Sequence, residues 1–322
     1  MGKEVKTILT GMLALAAILS AAGCSSPPGP YKFSKQYRRV YFQRVERKEA
    51  PRFDLSLRQT EQGRDLWLLD KTGHCLISLP GKLLLWNTRV GCHDVSDENV
   101  SILQEYLWAN DLDRVKIRVN QYAPWGELKR LWRNSDVNPF YRATFGTVSW
   151  IVYTVLPGRV FAGIPFLGDN YNPYTNAIYV YSDHPGMMVQ LAARSKDLAE
   201  HRFKGTYATL GIIPGIDLYQ EHVATRDTVR YFYAVRAKDQ ERASYKVLFP
   251  AYAMHLGPAA VAVGPIPALV YGGVAASGSV VGNVAGRMQA DQRKDNQDPA
   301  WGSELHTKKD VVEETESAPR RR

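Results

Sequence analysis

The stretch AIYVYSDHPGMMVQLAARSKDLAEHRF (residues 177–203) decides how the centre of this chain folds. Its first five residues, Ala177 to Tyr181, are apolar or aromatic and predict a buried strand. Pro185 is suited to the first turn of a helix, and the pattern after it predicts a helix to about Phe203. A second helix is expected from about Asp217 to Val235. The predicted order is therefore strand, helix, connector, helix.

The sequence before this stretch predicts the rest of a mixed α+β fold. Val40–Val45 and Asp65–Trp86 alternate apolar and polar residues, and Pro80-Gly81 is a turn signal, which together indicate a small antiparallel N-terminal sheet. The run Thr144–Leu156 is apolar and fits a strand or a buried helix equally well. Other expected elements are a helix capped by Ser96 and ending at Trp108, a strand at Val115–Val119, and a helix from Pro124 to near Asn134.

The N-terminus has the pattern of an export signal. Lys3 and Lys6 precede an apolar run, Ile8–Leu19, and Ser20-Ala21-Ala22-Gly23-Cys24 places small residues before a cysteine. This is typical of a lipobox, in which the cysteine thiol receives a diacylglyceryl group, and it predicts lipidation at Cys24. Ordinary cleavage after Ala22 and an uncleaved anchor are the alternatives. The absence of aspartate next to Cys24 resembles the pattern of outer-membrane lipoproteins of enterobacteria, which predicts an anchor in the outer membrane, facing the periplasm.

The positive charge is concentrated next to this signal. The whole chain has a formal net charge of +9, and residues 31–52 contain eight basic and two acidic side chains, a local excess of +6. Because this stretch follows the expected anchor, anionic lipid headgroups are a better candidate partner than nucleic acid. A solvated linker is the alternative.

Two cysteines remain if Cys24 is acylated. Cys75 and Cys92 would form an even pair in an oxidising compartment, so a disulfide between them is one expectation. The expected hairpin does not place them directly opposite each other. Two buried free thiols are the other expectation.

The central stretch resembles a group of uncharacterised bacterial proteins related to gluzincin metallopeptidases. Their helix bears the zinc motif HExxH after a strand, and a later helix supplies a glutamate ligand. The matching residues cover about a fifth of the chain and include Asn172–Asn176, Tyr181–Asp183, Lys196-Asp197, Lys204–Tyr207, Tyr219–Glu221 and Ala224–Asp227. The resemblance places the zinc motif at residues 190–194, where this chain has Gln190-Leu191-Ala192-Ala193-Arg194.

Those replacements are incompatible with zinc hydrolysis. Gln190 is a poor zinc ligand, Leu191 cannot act as a base, and the guanidinium of Arg194 has no lone pair to donate. Glu221 is the one residue retained at a ligand position. The resemblance therefore implies a non-catalytic scaffold without zinc. We expect the Arg194 guanidinium to take the place of the metal and to pair with Glu221.

Two other interpretations of these residues remain open. Gln190, Arg194, Asp197 and His201 fall on one face of the expected helix, so they could form only a solvated polar stripe. A displaced metal site is the second interpretation, and it would use Asp197, His201, His222 and Glu221.

The segment Leu256–Gly286 has no charged residue, and at its end glycine recurs at every fourth position, at 278, 282 and 286. Gly278, Gly282 and Gly286 would form a smooth helix face that permits close packing. The segment could enter a membrane, pack on the domain, or pack on a second copy of the chain. The charged tail that follows is expected to be disordered.

These observations predict five segments: a signal peptide (1–23), a lipid anchor with a basic tether (24–52), a mixed α+β periplasmic domain (53–250), an apolar glycine-zipper segment (251–286) and a disordered tail (287–322). The leading hypothesis is a membrane-anchored envelope lipoprotein that acts by binding or by membrane association, without catalysis. The alternatives are a metal-dependent envelope hydrolase with a site displaced around Glu221, and a self-assembling glycine-zipper membrane element.

Overall fold

A computed structural model describes residues 31–38, 59–64, 66–163, 167–255 and 268–293. The expected signal peptide, Cys24 and the strand at Val40–Val45 lie outside these residues. The strands are β1 (Thr60–Gln62), β2 (Lys116–Val119), β3 (Asn170–Asn172) and β4 (Ala177–Val180). The α-helices of six or more residues are α1 (Trp67–Thr72), α2 (Leu79–Leu85), α3 (Asp97–Ala109), α4 (Pro124–Arg133), α5 (Thr147–Val155), α6 (Pro185–Glu200), α7 (Lys204–Leu210), α8 (Pro214–Ala234), α9 (Lys238–Met254) and α10 (Ala268–Gln292).

The four strands form one mixed sheet in the order β1-β2-β4-β3. β1, β2 and β4 run parallel, and β3 pairs antiparallel with β4 at one edge. β4 is buried at every residue, as its apolar sequence predicts. The α+β class is confirmed, and so is the order of strand, helix, connector and helix after residue 177, with the short helix α7 inside the connector.

The main core lies between the sheet and helices α3, α6 and α8. Ile117 of β2, Ile178 of β4 and Val189 of α6 are fully buried in it, together with Leu103 and Phe232. The helix expected after Ser96 is confirmed, because the Ser96 hydroxyl accepts a hydrogen bond from the Asn99 backbone and caps α3. The undecided run at Thr144–Leu156 contains the helix α5.

The expected antiparallel N-terminal sheet is wrong. The part of Asp65–Trp86 that the structure describes folds into α1, a π-helical turn (Gly73–Ile77) and α2. Pro80-Gly81 lies in the first turn of α2 instead of a hairpin turn, which is an equally suitable place for proline. Glycine is required at residue 81 by tertiary packing, because a side chain there would overlap the backbone of Gly163. Cys75 and Cys92 therefore border no hairpin, and both are free thiols, with Cys75 exposed and Cys92 half-buried.

The first residues of the expected basic tether belong to the folded domain. Phe33 and Tyr37 are buried in the main core, and residues 35–38 are helical. The Tyr31 hydroxyl donates a hydrogen bond of 2.9 Å to Asp227 on α8. The predicted boundary between tether and domain, after residue 52, is therefore wrong for residues 31–38. Aromatic side chains of this short stretch pack against α8.

The glycine-rich helix packs on the same chain. Gly278, Gly282 and Gly286 all face α9, where a Cβ on any of them would come within 2.6 Å of the α9 backbone. The expectation that these glycines permit close helix packing is confirmed, with α9 as the partner helix. The helix also continues past the expected end at residue 286. Arg293, the residue after α10, is buried and pairs with Glu241 of α9. The start of the expected disordered tail is therefore folded.

Among the residues that the structure describes, no helix is long and apolar enough to span a bilayer.

Gly282→Ala is expected to lower the free energy of unfolding by about 1–3 kcal/mol, because the added methyl group would meet the backbone of Phe249 and Pro250. Chemical denaturation of the full chain measures the change. Gly273→Ala on the same helix is the control, since a Cβ there meets nothing within 4 Å and should stabilise the helix by about 0.5–1 kcal/mol. Equal effects of the two substitutions would refute the close approach of α10 to α9.

Candidate functional site

A cleft of about 510 Å³ lies beside the edge strand β3. One wall is apolar and includes Val148, Val152 and Leu156, which come from α5 and the residue after it. The opposite side is formed by α6, α8 and the end of α9, whose polar residues in the cleft are Gln190, Arg194, Asp197, Asp217, Gln220, Glu221 and His255. The cleft therefore has one apolar wall and one charged wall. Its volume is typical of ligand sites in proteins.

Helix α6 presents Gln190 and Arg194 to α8. The helix begins directly after β4, where the His184 side chain accepts a hydrogen bond from the Met187 backbone and caps its first turn. Gln190 and Arg194 are four residues apart and share one helix face. Gln190 is buried, so the interpretation of this stripe as a solvated face is wrong at that position.

The Arg194 guanidinium pairs with two carboxylates of α8. One terminal nitrogen of Arg194 lies 2.6 Å from Glu221 and 2.9 Å from Asp217. The expected contact between Arg194 and Glu221 is therefore present. Burial acts to lower the pKa of Arg194, but the two carboxylates outweigh it and raise the pKa. The guanidinium is therefore charged at every accessible pH.

Glu221 is held by further polar groups. Its side chain is 4% exposed, and it accepts a short hydrogen bond from the Gln190 amide. The same amide nitrogen lies 3.2 Å from the Thr225 hydroxyl. Glu221 is thus a buried carboxylate whose two oxygens face Gln190 and Arg194, the two positions of the expected zinc motif that would carry histidine.

His255 completes the cluster from a third helix. Its Nδ1 donates to Asp217 at 2.8 Å, and its Nε2 lies 3.7 Å from Glu221. Burial acts to raise the pKa of Asp217, but the His255 hydrogen bond and the Arg194 charge outweigh it and lower the pKa. Asp217 is therefore ionised, and the cluster joins α6, α8 and the end of α9.

The structure brings together only part of the predicted site. Gln190, Leu191, Arg194 and Glu221 all line the cleft. The residues of the displaced metal site do not converge: the His201 ring stacks on Tyr207 at 3.6 Å, and the His222 ring lies toward Tyr252. Within the described ranges, no three His, Cys, Asp or Glu side chains are placed to hold a metal ion.

Sequence reasoning missed Asp217 and His255. Asp217 lies four residues before Glu221, one helical turn away, so the helical pattern of α8 could have indicated it. No signal in the sequence pointed to His255, because it is 38 residues from Asp217 and its position depends on how α9 packs.

Comparison of this chain with protein-family models, with curated proteins and with solved structures gives no match.

The stability of this region is expected to fall as the pH falls from about 6.5 to about 4. Burial, with a smaller effect of the Arg89 charge, lowers the pKa of His184 from 6.5 to about 4. Over that window the unfolded chain binds a proton that the folded chain does not, so acid favours unfolding, by up to about 3 kcal/mol at the lower end. Denaturation at several pH values measures this slope.

His184→Asn is the matched variant, because asparagine caps helices well and does not titrate. It should flatten the profile between pH 6.5 and 4, leaving the smaller contributions of His93 and His222, whose pKa values burial also lowers. If stability depended on pH in His184→Asn as it does in the natural chain, the attribution of this pH dependence to His184 would be refuted.

Proposed function

We propose that this protein is a membrane-anchored envelope lipoprotein whose cleft binds a ligand without hydrolysing it. The observation that carries the proposal is the position of the Arg194 guanidinium, between the carboxylates of Asp217 and Glu221. On the proposed zincin-like scaffold this is the place of the catalytic zinc. The positive charge of the metal is then replaced by a side chain of the protein itself.

The chemistry of the cleft supports a binding role. A zinc hydrolase needs imidazole ligands and a carboxylate that takes a proton from water. At the positions of the expected zinc motif, the cleft presents the amide of Gln190, the isobutyl group of Leu191 and the guanidinium of Arg194. These groups can pack against a ligand and hydrogen-bond to it, but they cannot activate water.

The two walls of the cleft indicate the kind of ligand. Val148 and Val152 offer apolar contact on one side, and the ionic cluster offers hydrogen-bonding groups on the other. Such a cleft suits an amphipathic molecule that places its apolar part along α5 and its polar part near Arg194.

Restoring the motif should restore zinc binding if the scaffold is zincin-like. In the triple variant Gln190→His, Leu191→Glu and Arg194→His, the two imidazoles would lie one helical turn apart and face Glu221. We expect the triple variant to bind zinc at one equivalent and the natural protein to bind none, as measured by metal analysis after dialysis.

The matched control adds Glu221→Gln to the triple variant, which should lower its zinc affinity at least about tenfold because a ligand is lost. Stoichiometric zinc in the natural protein would refute the non-catalytic proposal. A folded triple variant without zinc would refute the zincin-like scaffold.

The proposed anchor is tested separately. Cells that express the full chain should incorporate radioactive palmitate into it, and Cys24→Ala should abolish the label because Cys24 is the cysteine of the lipobox. Cys75→Ala is the matched control, since it removes an exposed thiol outside the lipobox and should keep the label. Label that survives in Cys24→Ala would contradict anchoring at this residue.

A further inference from the structure

Helix α4 exposes a face of tryptophan and basic residues. Trp125, Lys129, Trp132 and Arg133 are all exposed, and their spacing of four, three and one residues places them on one side of the helix. The acidic residue of this helix, Glu127, points away from this side, since it is buried and pairs with Arg118. Tryptophan and basic side chains together are typical of helices that lie in a lipid headgroup layer.

Helix α5 exposes an apolar stripe where an amphipathic helix normally exposes polar residues. Val148, Ile151, Val152 and Val155 follow the spacing i, i+3, i+4 and i+7, and each is at least 43% exposed. Tyr153 is the buried residue of this helix. The stripe is not used by the core that the structure describes.

Helices α4 and α5 contact each other. Trp150 of α5 donates a hydrogen bond of 2.8 Å to the Pro124 carbonyl at the start of α4, and its ring lies 6.4 Å from that of Trp125. We call these eight side chains the α4–α5 face: Trp125, Lys129, Trp132, Arg133, Val148, Ile151, Val152 and Val155. Exposed apolar side chains grouped on two packed helices are typical of an interaction site.

The charges around the face identify the partner. The exposed charged side chains of α4, Lys129 and Arg133, are both basic. The next acidic residue along the chain, Asp136, pairs with Arg114 at 3.1 Å. A surface that combines exposed valine and tryptophan with an excess of positive charge complements an anionic lipid headgroup layer. A protein partner or a second copy would need an acidic rim to match it.

We propose that the α4–α5 face docks on the anionic surface of a membrane and buries Ile151 and Val155 in the headgroup region, with Val148 and Val152, which also line the cleft, at the edge of the contact. The inference deepens the proposed function, because the anchor at Cys24 would keep a lipid surface within reach. It also orients the domain: Val148 and Val152 line the cleft as well, so the apolar wall of the cleft opens toward the lipid.

The test measures the depth of single positions in a bilayer. The full chain, with Cys75→Ser and Cys92→Ser, carries either Val155→Cys or Val284→Cys, and each new thiol is labelled with an environment-sensitive fluorophore. Both valines are exposed, at 69% and 49%, but Val284 lies on α10. The protein is reconstituted into phosphatidylcholine vesicles with and without phosphatidylglycerol, both containing spin-labelled lipid as a quencher.

We expect quenching at position 155 to be at least about twofold that at position 284 in the anionic vesicles, because α5 enters the headgroup layer and α10 does not. Lys129→Glu with Arg133→Glu should remove this difference, since both side chains are exposed and the reversal repels anionic lipid. Palmitate labelling reports on the anchor independently, so docking and anchoring can fail separately.

Three outcomes would overturn the inference. The first is equal quenching at positions 155 and 284, and the second is quenching at position 155 that the charge reversal does not change. The third is cross-linking of two copies through position 155 in place of quenching. The last result would identify a second copy as the partner. Should the labelled variant not fold, tryptophan quenching in the same vesicles compares the natural chain with the charge-reversed chain, and equal quenching of the two would overturn the inference.

Discussion

The ion pair between Arg194 and Glu221 is the interaction on which the arrangement of the central helices depends. A carboxylate that is 4% exposed is unstable without a compensating charge, and the guanidinium of α6 supplies it. Removing one partner from a buried pair costs about 3–5 kcal/mol, because the other charge stays buried alone. This constraint fixes α6 against α8, and through Asp217 and His255 it also fixes the end of α9.

Both ends of the described chain are attached to these same helices. At the N-terminal end, the Tyr31 hydroxyl and the Lys196 ammonium both contact Asp227 of α8. At the C-terminal end, Arg293 pairs at 3.0 Å with Glu241, which is 1% exposed. A hydrogen bond at the N-terminal end and an ion pair at the C-terminal end thus join the terminal segments to α8 and α9, so stretches that look like a tether and a tail are partly folded.

The same packing explains why the cleft and the α4–α5 face are left open. Helices α6, α8 and α9 satisfy their apolar and charged groups with each other and with the sheet. Helix α5 buries Tyr153 and leaves Val148, Ile151, Val152 and Val155 outside, so its apolar surface is free to contact a ligand or a lipid. The cleft remains between this helix and the ionic cluster because nothing in the described chain fills it.

The sequence by itself determined the features that rest on local physics. Pro185 and Ser96 set the starts of two helices, and the i, i+4 spacing of Gln190 and Arg194 placed them on one face, because capping and helical periodicity involve only neighbouring residues. The spacing of Gly278, Gly282 and Gly286 indicated close packing for the same reason. Tertiary structure alone decided the parallel pairing of β2 with β4, the helices at residues 67–85 and the arrival of His255 at Asp217. A hydrophobic pattern states that a segment will be buried, but not against which partner, and that choice depends on contacts between residues far apart in the chain.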